Sequence, residues 1–189
     1  MYEVQDDTYC YPGTIVLRNR LDLKDPEQLG AFEAEITDQR ASEALPEGML
    51  DYAHYRAVHH HLFQDVYDWA GQARRVRISK GGNPFCFPEY IDSQMEGLFA
   101  ALANNNYLRG LDAKAFAQGA AHFLAELNAI HPFREGNGRA QLSFLTLLAE
   151  EAGHPLDFDR LDPQGLLEAT IESFGGDEAG LEKQIAAIL

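Results

Sequence analysis

Residues 122–150 read HFLAELNAI (122–130), HPFREGNGR (131–139) and AQLSFLTLLAE (140–150), two apolar helical stretches joined by a segment that cannot be helical throughout. Pro132 disfavours helical backbone at His131, and Gly136 and Gly138 let the chain turn tightly with its N–H groups directed inward. A second helix then opens at Gly138 or Arg139. The unpaired amides and positive dipole end of such a helix start make an anion site, to which Arg139 adds a planar, permanently charged donor. Phosphate is the natural occupant. The same loop holds His131, a base that titrates near neutral pH, and Glu135, a hard oxygen ligand of the kind Mg²⁺ uses beside substrate phosphates.

Outward from this loop the dominant period is helical. Leu29, Phe32 and Ile36 follow an Asp25-Pro26 start, and Tyr52, Tyr55, Val58, His61 and Leu62 share one spacing. Further helices are predicted over Tyr90 to Ala103, Ala113 to Ile130, Arg139 to Ala152 and Asp162 to Phe174, with a shorter one from Glu178. The exception is RRVRISKGGNPFCFP (74–88), where Val76 and Ile78 alternate with charged residues and Gly81-Gly82 supplies a turn. This hairpin is the only convincing β element, and it carries Arg74, Arg75, Arg77 and Lys80. The reading is an all-α bundle with one short β-hairpin flap, a single domain over 1–189. Its parts are an N-terminal extension to about Thr14, the flap at 74–88 and the active-site loop at 131–139.

Composition narrows the function. The chain has 189 residues, 46% apolar, with 15 basic against 30 acidic side chains and a net charge of -15. That charge argues against a nucleic-acid or anionic-membrane surface, so a phosphate site must be local. The start, MYEVQDDTYCYPGT, has neither a basic nor an apolar run, and no window approaches the roughly 20 apolar residues of a membrane span. A soluble cytoplasmic protein is expected. Cys10 and Cys86 read as free buried thiols. His59, His60 and His61 on one helix would point over roughly 200° and form no single metal face. His122 and His154 lack partners at useful spacing.

HPFREGNGR fits the signature His-x-Phe-x-Asp/Glu-Gly-Asn-Gly-Arg at every specified position, and with it the chain resembles the Fic family. YCYPGT (9–14), YDWAG (67–71), ISKGG (78–82) and FPEYI (87–91) extend the likeness to the Fic group found among bacterial toxin and secreted-effector domains. The resemblance implies the helical Fic core and a protein adenylyltransferase, moving AMP from ATP to a hydroxyl of a target protein with loss of pyrophosphate. It also admits secretion into a host cell. His131 would be the general base, Phe133 the loop's anchor, and Glu135 the ligand of Mg²⁺ bridging the α- and β-phosphates. Asn137 with the amides around Gly136 and Gly138 would cradle those phosphates, with Arg134 in the same nucleotide-binding loop, and Arg139 would grip the β-phosphate. The flap would lie over the site, offer its edge to an extended target segment and bring Lys80 and Gly81 near the nucleotide.

In the common AMP-transferring form a second arginine follows three residues after Arg139, and here that position is Leu142. Transfer of another phosphate-bearing group, or a weakly catalytic nucleotide-binding module, is the alternative this departure keeps open. No Ser/Thr-x-x-x-Glu-Gly/Asn inhibitory motif occurs. Either a small antitoxin-like protein inhibits in trans, or Leu142 has removed the target of that inhibition.

Overall fold

Aspartates start four of the helices, each side chain accepting main-chain N–H groups that have no partner inside the helix. Asp25 caps α1 (Pro26–Ala41), Asp51 caps α2 (Tyr52–Phe63), Asp112 caps α4 (Ala113–Ile130) and Asp162 caps α6 (Pro163–Ser173), with Pro26 and Pro163 supplying fixed φ at the first turn. Between them lie α3 (Ile91–Asn104) and α5 (Asn137–Ala152), and α7 (Ala179–Ile188) ends the chain. These bounds differ from the expected ones by two residues at most, and α5 opens at Asn137 rather than at Gly138 or Arg139. The computed structural model describes residues 2–4 and 7–189; Met1, Gln5 and Asp6 of the expected extension lie outside the described residues.

The bundle is organised around α4, which buries Phe116, Ala117, Ala120, Ala121, Phe123, Leu124 and Leu127 and packs against α3, α5, α6 and α7. Its many alanines let neighbouring helices approach closely. From the other side α2 packs on α5 and α1 on α2. Tyr55, Phe99, Phe123 and Phe144 meet in edge-on and tilted ring contacts at the centre. Such ring pairs add to the area buried.

The β structure is larger than the expected hairpin. Strands β2 (Ile78–Lys80) and β3 (Asn83–Pro84) are joined by Gly81-Gly82, both at positive φ (59° and 80°), as a two-residue hairpin turn requires. A third strand, β1 (Glu3–Val4), pairs antiparallel with the outer edge of β2 in the register Glu3↔Ser79 and Val4↔Ile78. Val76, Ile78 and Phe85 form a satellite cluster over which Tyr2, Val4, Tyr9 and Phe174 pack.

Candidate functional site

The loop between α4 and α5 is held by its own side chains. His131 ends α4 in the left-handed region (φ 51°, ψ 63°), where its N–H still donates to the Leu127 carbonyl at 3.0 Å. Pro132 and this C-cap geometry together stop the helix. Phe133 is fully buried and stacks on the rings of His59 and Tyr55, with centroids at 3.7 and 5.3 Å. The Asn137 carboxamide closes the turn, accepting from the Phe133 N–H at 2.9 Å and donating to the Phe133 carbonyl at 2.8 Å. The Asn137 side chain is thus spent on stapling the loop, while its backbone N–H stands at the start of α5. Gly136 is obligatory twice over, since φ is 80° and an added Cβ would lie 2.2 Å from Cζ of Phe63.

His131 is oriented by a carbonyl. Its Nδ1 lies 3.1 Å from the Asn128 oxygen, which can only accept, so Nδ1 carries the proton and Nε2 presents a lone pair. A hydroxyl, that of Tyr2, donates to Nε2 at 2.7 Å. Burial, helped by the nearby charges of Arg74 and Lys80, lowers the imidazole from 6.5 to about 3, so the ring is neutral near pH 7.

No side chain caps α5, whose N-cap is Gly136, so its first amides keep no intrahelical or side-chain partner. Gly138 is exposed, and nothing stands within 4 Å of where its Cβ would be. Glu135 is half-buried beside this opening; one carboxylate oxygen accepts from the Gly136 N–H at 2.9 Å. Arg139 is already engaged, donating to Thr37 Oγ1 at 3.0 Å and to the Glu33 carboxylate, with its guanidinium 4.6 Å over the Phe63 ring. Arg134 is buried and bound to Asp7 at 2.6 and 3.1 Å, so it ties the loop to the N-terminal segment. Leu142 is half-buried and lies outside the central apolar cluster.

On the flap, Lys80 is exposed, its ammonium 5.8 Å from the Tyr2 ring, and Gly81 forms the turn. The four basic residues of this segment do not act together. Arg74 is 2% exposed and donates to the carbonyls of His131, Val76, Cys86 and Ile130, clamping the flap to the loop. Arg77 pairs with Glu89 and covers Phe87.

Several supporting residues escape a reading of local pattern. His59, fully buried, accepts from the Gly71 N–H at 2.9 Å and therefore donates from Nε2 to the Glu135 carbonyl at 3.0 Å. Tyr67 donates to the same Glu33 that holds Arg139. The YDWAG stretch thus serves as the loop's backing, and its resemblance to known sequences was the available signal. His61 turns toward the Arg40 carbonyl and away from His59, as the helical spacing requires. His122, expected to lack a partner, lies 3.0 Å from Glu178. Both cysteines are free, but only Cys10 is buried as expected; Cys86 is half-buried on the flap. Among the described residues no helix is long and apolar enough to cross a membrane, and no group of three or more His, Cys, Asp or Glu side chains could hold a metal ion.

Comparison with known proteins places this geometry. The Fic/DOC family model matches residues 49–149, which span α2 through the loop and nearly all of α5. The chain is 54% identical over its whole length to a probable protein adenylyltransferase of Sinorhizobium fredii, covering 98% of that protein. It is 36% identical to a probable protein adenylyltransferase Fic of Escherichia coli, over 93% of this chain and 88% of that one. Among solved structures, BepC of Bartonella tribocorum with bound AMPPNP superposes with a TM-score of 0.84 at 28% identity, over 95% of each chain. The uncapped α5 start, the loop stapled by Asn137 and the basic nitrogen of His131 are therefore parts of a chain that belongs to the Fic/DOC family.

Proposed function

We propose that this chain is a protein adenylyltransferase that moves AMP from ATP to a hydroxyl side chain of a target protein and releases pyrophosphate. The observation that carries the reading is the pairing of a base and a cradle: the lone pair of His131 Nε2 is held toward a hydroxyl while the α5 start stands uncapped a few residues along. Relatives named protein adenylyltransferases, and Fic structures with AMPPNP or ADP bound, support it.

In this reading the amides of Asn137, Gly138 and Arg139 hold the phosphates against the helix dipole, and the open space over Gly138 lets them come close to the backbone. His131, neutral at working pH, takes the proton of the attacking hydroxyl. Arg139 grips the leaving β-phosphate once it parts from Glu33. Lys80 and Gly81 close over the nucleotide from the flap, and Arg134 keeps the loop in register through Asp7. Glu135 fits a Mg²⁺ ion, since its carboxylate stands half-buried beside the amides that would hold the phosphates. Bound there, the ion would neutralise charge developing on the phosphates. The target would lie extended along the flap edge, recognised through main-chain bonds. A protein that inhibits in trans would meet Arg139 already held by Glu33.

The test is incubation with Mg²⁺, lysate and either α- or γ-labelled ATP, with His131→Ala alongside. Label from the α-position on protein, lost in His131→Ala, is expected. Label from the γ-position alone would make the chain a kinase and refute the reading.

A further inference from the structure

The N-terminal strand lies where the target is expected to lie. β1 takes the outer edge of β2, on the side away from β3, and leads Tyr2 onto His131. The Tyr2 hydroxyl is 2.7 Å from His131 Nε2, the nitrogen that the Asn128 carbonyl leaves unprotonated. Its ring packs edge-on against His131 and Phe85, with the Lys80 and Arg134 charges 5.8 and 5.7 Å from its centre. Further along the segment, Asp7 is fixed by Arg134 and accepts from the Cys10 thiol at 3.1 Å. Residues 3–4 are thus tethered by the strand ladder and Asp7 by a largely buried ion pair.

From this juxtaposition we propose that Tyr2 is an acceptor site for AMP, so that the chain adenylylates its own N-terminal strand. The inference rests on the adenylyltransferase reading above. In the step, Tyr2 Oη bonds to the α-phosphorus of ATP as the bond from that phosphorus to the β-bridging oxygen breaks. The bonding pair leaves with pyrophosphate, and the phenolic proton passes to His131 Nε2. The product is a tyrosyl phosphodiester of AMP. A phenol that donates to a neutral imidazole is poised for this transfer. Burial keeps Tyr2 protonated well above its ordinary range, so the hydroxyl retains its proton until the base receives it.

The full chain, tagged only at its C-terminus, is incubated with ATP and Mg²⁺ and digested. Mass spectrometry of the peptide containing Tyr2 reads the result, and lysate labelling is run in parallel. Expected are one AMP on Tyr2, a rate per molecule that does not change with protein concentration, and loss of the adduct in both Tyr2→Phe and His131→Ala. Modification of lysate proteins with Tyr2 bare would overturn the acceptor assignment and leave the enzymatic reading intact. An adduct elsewhere on the chain that survives Tyr2→Phe would also overturn it. No AMP on any protein would sink both.

Discussion

Glu33 of α1 holds Arg139 of α5, the last residue of the signature loop, in a salt bridge that Tyr67 and Thr37 brace from either side. The arginine expected to meet the leaving phosphate therefore has an internal partner that a nucleotide must displace. The Arg139 side chain is 38% exposed, so solvent screens the pair and its hold is modest.

Glu33→Gln removes the charge while keeping an oxygen for the Tyr67 hydroxyl. ATP should bind about 2- to 5-fold more tightly, corresponding to roughly 0.5–1 kcal/mol for a partly exposed ion pair. AMP affinity should hardly move, since AMP has no β-phosphate. Calorimetric titration with both nucleotides decides the matter, and equal or weaker ATP binding would show that Arg139 does not reach the outer phosphates.

His131 gives the fold a defined acid sensitivity. Its imidazole is lowered from 6.5 to about 3 in the folded chain. As pH falls below 6.5 the unfolded chain takes up this proton and the folded one does not. Stability should then fall across that window by up to about 1.4 kcal/mol per pH unit from this group. Urea denaturation of wild type and His131→Asn at pH 7.5 and 5 should show the wild type losing about 2 kcal/mol more than the variant. Parallel losses would mean that the ring is not held neutral.

Much of this architecture was legible because it is written locally. Asp25 with Pro26 marks a helix start, helical spacing marks the others, and the Pro132 effect on His131 marks the break that makes the loop. What was missed depends on partners distant in the chain. Glu33 looks like part of a solvated helix face until α1 meets a residue 106 positions away. Asn137 could hold a phosphate or staple a turn, and spacing cannot tell these apart. Arg74 was grouped with its charged neighbours because alternation reveals a strand's faces and not that one of them is clamped beneath. β1 spans two residues, too short for any period to register.

Leu142 sits one turn beyond Arg139, half-buried and outside the main apolar cluster, in the place where the family's common form has an arginine. Leu142→Arg should therefore be tolerated with a loss under about 1 kcal/mol, well below the cost of burying an unpaired charge. ATP binding should tighten by up to roughly 1.5–3 kcal/mol, as a charge-assisted contact to an outer phosphate allows. A steep fall in Tm without tighter binding would make Leu142 a core residue.

The two loop glycines separate folding from function. At Gly136 an alanine would meet both a left-handed backbone, at about 1–2 kcal/mol, and the Phe63 ring, at about 1–3 kcal/mol for overpacking. Gly136→Ala should lower stability by several kcal/mol and disturb the packing of Phe63 beneath Arg139. At Gly138 the backbone is helical and the space is open, so alanine should leave the fold unchanged or stabilise it by about 0.5–1 kcal/mol through helix propensity. The added methyl would nonetheless stand over the uncapped amides, where a phosphate must approach. Gly138→Ala should then melt no lower than wild type while losing at least about 10-fold in ATP affinity, roughly 1.4 kcal/mol. Thermal melts and ATP titrations on the pair test this directly. Undiminished ATP binding by a stable Gly138→Ala would show that the phosphates do not rest on the α5 start.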